Sequence, residues 1–454
     1  MDTIKEKVVK ASIWVIVGYG FSQILRFSGN LILTRLLMPE MFALMAVVSV
    51  IQHGVLMCSE FGLQANIIRH KKGRDKEFLN TAWTMEIIRG WLSWFIMLAI
   101  ACAVFELQSE KIISDSSSVY SDVSLPLVIF IAGFSNVIIS YGSTKVWLAK
   151  RSLQLNRITF ITLGVQGISL SIIVIWTYYT RTIWPMVFGG LISNLLQVLG
   201  SHYLLKGMRN SVFFDKNIAK ELFKFGKWMF LSAVFTFIAL NSDRLLLAKL
   251  ISSEMLGVYM VAFFLVNSVR MGIRKFSASI IFPLLSKVHR ESLEKSKTLF
   301  YKIRNKQDIL IFFIAGFLYV TAPVIIDIFY DERYSEAGTI LRILTVSLVG
   351  FSYSLGKTMT TTMGYPHIGA IIALARAIIL WITVPFMFMY FGLIGAVWAI
   401  ALNILVEVVI IWGVFIKYKI INWLKELYLL PFVAVGYIVG YICVEVYREV
   451  ILWK

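Results

Sequence analysis

"WMFLSAVFTFIALNSDRLLLAKLISSEMLGVYMV" occupies positions 228–261, and slid back by 214 residues it lies over "WVIVGYGFSQILRFSGNLILTRLLMPEMFALMAV" at 14–47. The register is ungapped. Trp14 meets Trp228 and Phe21 meets Phe235; Leu31, Leu33 and Leu36 meet Leu245, Leu247 and Leu250; Glu40-Met41 meets Glu254-Met255; Val47 meets Val261, and Arg35 falls on Lys249. Matched leucines alone mean little in an apolar chain. Shared tryptophan, phenylalanine, Glu-Met and a base in one register mark an internal repeat.

The chain around the repeat is built for lipid. Its 454 residues are 58% hydrophobic and 15% charged, where soluble domains carry about 25% charged residues. Continuous apolar runs of about 20 residues recur, the length that crosses a hydrocarbon core. An outer-membrane barrel would show short alternating segments instead. Candidate spans fall at 11–36, 41–64, 78–105, 125–148, 158–178, 184–205, 228–251, 255–285, 308–330, 338–362, 367–390 and 392–416, with a further one near 427–447. No cleavable signal peptide is evident, so the first span is read as retained. Cys58, Cys102 and Cys443 sit in apolar stretches without CxxC spacing, which predicts free thiols and no metal site.

The net charge of +18 is a topology signal rather than a nucleic-acid one. With the N-terminus in the cytoplasm, Arg69, Lys71, Lys72, Arg74 and Lys76 lie inside. So do Lys206, Arg209, Lys216, Lys220, Lys224 and Lys227, and then Lys287, Arg290, Lys295, Lys297, Lys302, Arg304 and Lys306. The opposite loops, 106–122 and 330–338, carry one Lys and one Arg. Cytoplasmic loops gather Lys and Arg in this way. Six spans separate the repeat copies, so both halves insert the same way up. The expected fold is an all-α polytopic membrane protein. Its six-helix lobes, 1–205 and 228–416, are joined by a Lys-rich cytoplasmic linker, 206–227, and enclose a central cavity; 417–454 adds a further membrane segment.

Charges inside spans are expensive and mark cavities or partners. Arg270 and Arg274, four apart on one helix face, lie about 24–30 Å below the outer end of their helix at about 1.5 Å per residue. That is too deep to snorkel, and no carboxylate shares their helix nearby, so they are read as functional. Arg26, Arg89 and Arg376 are further candidates for the same cationic cavity, and Lys357 is also deep. Glu86 and Arg89, three apart, pair with each other or serve transport. Asp243–Arg244 is either an ion pair that sets geometry or a gate. His53 is a proton relay or a hydrogen-bonded packing residue, and Glu407 joins Asp243 and Glu86 as a carboxylate available for coupling. Arg35, Lys249, Arg342 and Asp327 fall near interfaces and read as anchors. Bases outnumber acids among the deep residues, so the cavity should attract an anion, and guanidinium suits phosphate or carboxylate. No cluster of acid, base and metal-binding residues beside a groove supports an enzyme.

"LTRLLMPEMFALMAVVSV", "SEFGLQANIIRHKK", "FKFGKWMFLSAV", "LNSDRLLLAKLISSEMLGVYMVAFFLV" and "IIFPLLSKVHRE" together resemble the polysaccharide (O-unit) flippases of the multidrug/oligosaccharidyl-lipid/polysaccharide exporter superfamily, with the colanic-acid-exporter-like branch most similar. Ala43 departs from the pattern, where such proteins commonly carry glycine. The resemblance implies a function: moving an undecaprenyl-diphosphate-linked oligosaccharide from the inner to the outer leaflet of the bacterial inner membrane by alternating access, coupled to protons or sodium ions. It implies membrane lipids, a polysaccharide polymerase and a chain-length regulator as partners, with no cofactor and no nucleic acid. The diphosphate would meet Arg270 and Arg274, with Arg26, Arg89 and Arg376 as second choices, and Asp243, Arg244, Glu86, Glu407 and His53 would serve coupling or gating. A multidrug cation antiporter of the same fold is the main rival, and a membrane polymerase or glycosyltransferase a lesser one.

Overall fold

A computed structural model describes residues 2–59, 63–64, 67, 73–110, 118–152, 154–277, 281–365, 367–421 and 428–452. Arg69, Lys71 and Lys72 of the topology argument lie outside the described residues, as do the side chains of Lys224, Lys227, Lys287 and Arg290. The chain is all-α and forms two compact units, Met1–Phe237 and Ile238–Lys454.

In the first unit α1 (Asp2–Leu36) and α2 (Pro39–Cys58) precede the long α3 (Lys76–Ser109). A bent pair follows, α4 (Leu125–Ser140) and α5 (Lys145–Arg151), then α6 (Leu155–Thr180) and α7 (Trp184–Tyr203). The chain then enters α8 (Lys216–Leu250), α9 (Ser253–Phe276), a short α10 (Phe282–Glu291) and the long α11 (Leu293–Phe329). A second broken pair follows, α12 (Ala337–Phe351) and α13 (Ser354–Thr362), then α14 (His367–Leu402), α15 (Ile404–Lys417) and α16 (Pro431–Leu452). α1 and α8 are both 35 residues long and begin and end at the 214-residue offset of the sequence repeat, as do the first residues of α2 and α9.

Packing repeats along with the order. α4 packs on α2, α3 and α7 in the first unit, and α12 packs on α9, α11 and α15 in the second. Small residues bring the helices close: a Cβ on Gly18 or Gly29 of α1 would meet Thr159 or Leu170 of α6 at 2.2 and 2.5 Å. Ser22 Oγ donates to Gln166 Oε1 at 2.7 Å in the same seam.

Eight helices among the described residues are long and apolar enough to cross a membrane, or nine if the bent pair α4–α5 is one span. One of the eight, His367–Lys417, runs 51 residues. It breaks at Gly392, whose φ of 61° is open to glycine without a Cβ penalty, and the length suffices for two crossings.

Within the first unit, the stretch 206–215 is bolted to α3 and to Thr144. Asn80 Nδ2 donates to Ser211 Oγ at 2.7 Å, Thr84 Oγ1 to the Phe213 carbonyl at 2.9 Å, and Asn210 Nδ2 to Thr144 Oγ1 at 2.7 Å. Asp215 then caps α8 by accepting from the amides of Asn217 and Ile218. Ile218 and Leu222 pack with Phe78, Leu79 and Ala82. The first half of the expected linker is thus an extended strap on the first unit, and the second half is the amphipathic start of α8.

The long helix α11 contains Pro323. Proline has no N–H for the carbonyl four residues earlier, and that carbonyl, Tyr319 O, accepts instead from Arg342 Nε at 3.1 Å. Arg342, read from sequence as an interfacial anchor, fills the gap a proline leaves. Gly338 makes the approach possible, since a Cβ there would meet Pro323 Cα at 2.8 Å.

Candidate functional site

The cationic site assembles in the second unit from α9, α12, α13, α14 and α15. Arg270 and Arg274 step along α9 by one turn, and Ser347 and Phe351 step along α12 by the same interval. Arg270 Nη2 donates to Ser347 Oγ, and the Arg274 guanidinium lies 5.3 Å from the centroid of the Phe351 ring. Matched four-residue steps are the contact pattern of helices side by side. Arg270 is half-buried and Arg274 exposed. Neither has a carboxylate within ion-pair distance among the described residues. Asp243 acts on Arg270, and Glu407 on Arg274, only through longer-range attraction.

Arg376, on α14, extends the cluster. Its Nη1 donates to Glu407 Oε2 at 3.0 Å and its Nε to Asn403 Oδ1 at 3.0 Å, while Asn403 Nδ2 returns a bond to the Arg376 carbonyl at 3.0 Å. Asn403 and Glu407 are one turn apart, so one guanidinium spans both. Lys357, on α13, completes the group and feels the charges of Glu407, Arg376 and Arg274. Three bases, Arg376, Lys357 and Arg274, therefore act on one carboxylate. Glu407 is 3% exposed and its Oε1 is buried without a hydrogen-bond partner.

Asp243 and Arg244, adjacent on α8, do not pair with each other. Tyr259 Oη donates to Asp243 Oδ2 at 2.9 Å. The Arg244 guanidinium sits 4.2 Å over the Phe263 ring and reaches Asn241 Oδ1 at 3.5 Å. Of the two sequence readings, an ion pair that sets geometry or a gate, the mutual pair is replaced by two separate attachments to α9. Their side chains point apart because consecutive helical residues diverge by about 100°.

Among the described residues of the first unit, Arg26, His53 and Arg89 are not brought together. Arg89 is held by Glu86 through both carboxylate oxygens, Nε to Oε2 at 3.1 Å and Nη2 to Oε1, and also reaches Ser59 Oγ at 3.3 Å. A guanidinium used bidentately by its own neighbour is not offered to a ligand, so Arg89 leaves the anion-binding set. Arg26 stands exposed on α1. His53, read from sequence as a proton relay or a hydrogen-bonded packing residue, is exposed on α2.

Sequence reasoning missed one buried pair. Arg304, counted from sequence among the cytoplasmic bases, and Asp308, both of α11, are each 1% exposed and pair at 3.2 Å. The Arg304 guanidinium also lies 4.3 Å over the ring of Tyr353, at the break between α12 and α13. Their i,i+4 spacing was the available signal.

Three kinds of likeness to known proteins bear on this site. A family model described as "Polysaccharide biosynthesis protein" matches residues 32–339. The "Putative O-antigen transporter" of Shigella flexneri is 21% identical over 427 residues, covering 89% of this chain and 96% of that protein. Among solved structures, the inward-facing conformation of a multidrug resistance MATE family transporter of the MOP superfamily has a TM-score of 0.70 at 15% identity, covering 90% of this chain and 98% of that one. The lipid II flippase MurJ in an inward closed conformation has a TM-score of 0.66 at 16% identity, covering 97% and 100%. At such identities the structures speak for the fold alone, which this chain shares with both. The O-antigen relative and both solved structures are themselves transporters or flippases by name, not enzymes.

Proposed function

Because the chain belongs to the polysaccharide biosynthesis protein family, we propose that it is a flippase for an undecaprenyl-diphosphate-linked oligosaccharide in the bacterial inner membrane. The N-terminus is cytoplasmic, and the lobes 1–205 and 228–416, joined by the linker 206–227, alternate access. The likeness to an O-antigen transporter and to a lipid II flippase supports a lipid-linked sugar as cargo. One observation carries the reading: Arg270 and Arg274 stand on one face of an apolar helix with no carboxylate within ion-pair distance among the described residues, beside Lys357 and Arg376. Forked guanidinium groups match the oxygens of a diphosphate, and a low-dielectric setting strengthens the attraction. The same surplus disfavours a cation antiporter, which needs the opposite sign.

Transport draws on a proton or sodium gradient, with Asp243, held by Tyr259, as the carboxylate placed to sense it. Flux in sealed vesicles that ignores both gradients would eliminate that role. The cargo reading is tested by titrating the purified protein with farnesyl diphosphate. R270A and R274A should each weaken binding by roughly tenfold or more, the scale of losing one strong charge-assisted contact, and R274K should recover only part. In cells, loss of the protein should strand lipid-linked repeat units on the cytoplasmic leaflet. Full binding by the R270A/R274A double variant would overturn the assignment.

A further inference from the structure

The carboxylate at the centre of the cationic cluster has no obvious place in a site built for an anion. Glu407 is an anion itself, buried to 3% exposure, and it occupies Nη1 of Arg376. It does so with one oxygen only: Oε2 takes the bond and Oε1 has no partner. Asn403 holds the Nε edge of the same guanidinium, so Arg376 stays in place whether or not Glu407 holds it.

The surroundings of Glu407 are positive from every packed element that carries a charge. Arg376 faces it from α14, Lys357 acts on it from α13 and Arg274 from α9. α12 also packs on α15 but its one charged residue, Arg342, is committed to Tyr319. With no cargo present, Glu407 is the counter-ion that lets the cations persist at this depth. A buried carboxylate that loses its cation is unstable as an anion and protonates instead.

We propose that Glu407 is a resident stand-in for the cargo's diphosphate: the incoming diphosphate takes over Arg376 together with Arg270 and Arg274, and the displaced Glu407 takes up one proton from water on Oε1 or Oε2. This rests on the diphosphate reading above and gives it a sign. Diphosphate binding and protonation of Glu407 favour each other, and the favour is reciprocal. The affinity contributed by this group is therefore greatest at low pH and falls as pH rises. A proton taken up here travels with the cargo rather than against it. Gradient-driven exchange must use another carboxylate.

Calorimetric titration of the purified, full-length protein with farnesyl diphosphate, in two buffers of different ionisation enthalpy, counts the protons taken up. The wild type should take up more protons per ligand than E407Q, by a difference approaching one, which cancels the ligand's own titration. E407Q should bind roughly 5- to 150-fold more tightly, the usual range of coupling between two sites, because the competitor is neutral. E407D, shorter but still charged, should keep proton uptake. Equal proton counts in wild type and E407Q, or weaker binding by E407Q, would overturn the stand-in role while leaving the diphosphate site intact, provided R274A still loses binding. If neither wild type nor E407Q binds the probe, the diphosphate site and the stand-in role both fall. Should E407Q not fold, an uptake by wild type that matches the ligand's own titration overturns the proposal by itself.

Discussion

Glu86 and Arg89 show how a charge in a spanning helix can serve architecture. The pair is nearly closed on itself, and its side chains are 15% and 11% exposed. Removing one member leaves the other stranded, at a cost of about 3 kcal/mol for a buried pair. E86A and R89A should each lower the midpoint of thermal unfolding, whereas exchanging the two as E86R/R89E should restore most of it. If the exchanged protein is no better than the single variants, the pair contributes through more than mutual attraction. Arg274 behaves otherwise: no carboxylate lies within ion-pair distance of it among the described residues, so R274A should leave the unfolding midpoint within a degree or two while losing ligand.

At the scale of the helix, α11 gathers the fold's irregularities. Its proline frees a carbonyl, and Arg342 answers it from α12. A double-mutant cycle reads this directly. R342A should destabilise by about 1–3 kcal/mol in the native background, the cost of an unsatisfied buried acceptor, and by much less beside P323A, where residue 323 regains an N–H. Additive losses would show that Arg342 stabilises through packing alone. Lower on the same helix, Arg304 and Asp308 form an ion pair that is fully enclosed. D308N should cost about 3–5 kcal/mol, and R304M/D308L should recover much of it, because an apolar pair avoids the desolvation of two charges.

At the scale of the molecule, orientation is the property most open to a direct test. Val123, at 90% exposure in the loop after α3, is expected outside, and Val212, at 76% exposure in the strap, inside. Cysteines placed there, in a background lacking the native three, should react with an impermeant maleimide from opposite sides of the membrane. Labelling of both from one side would break the positive-inside assignment. The repeat and the helices were legible because bilayer thickness sets span length and a 214-residue shift preserves register across α1, α2, α8 and α9. Arg270, Arg274 and Arg376 were legible as costly charges without partners on their own helices. What stayed hidden depends on contacts between distant elements. Arg376 meets Glu407 across the α14–α15 break, Arg342 answers a proline on another helix, and the divergence of Asp243 from Arg244 follows from what α9 offers each. Depth also misled, since Arg304 reads as a loop charge until Asp308 and Tyr353 enclose it.

One consequence concerns the order in which the molecule can be made. A Cβ on Gly316 of α11 would come within 1.9 Å of the Val433 carbonyl oxygen, and one on Gly436 within 2.1 Å of the Phe313 carbonyl, so α11 and α16 touch backbone to backbone. Small residues give lipid-immersed helices that intimacy. Yet α16 leaves the ribosome on the order of ten seconds after the middle of α11, at ordinary synthesis rates. During that interval the glycine furrow of α11 lies open to lipid or to an insertion factor, and bulk introduced there, as in G316V, should surface as failed biogenesis before any defect in transport is seen.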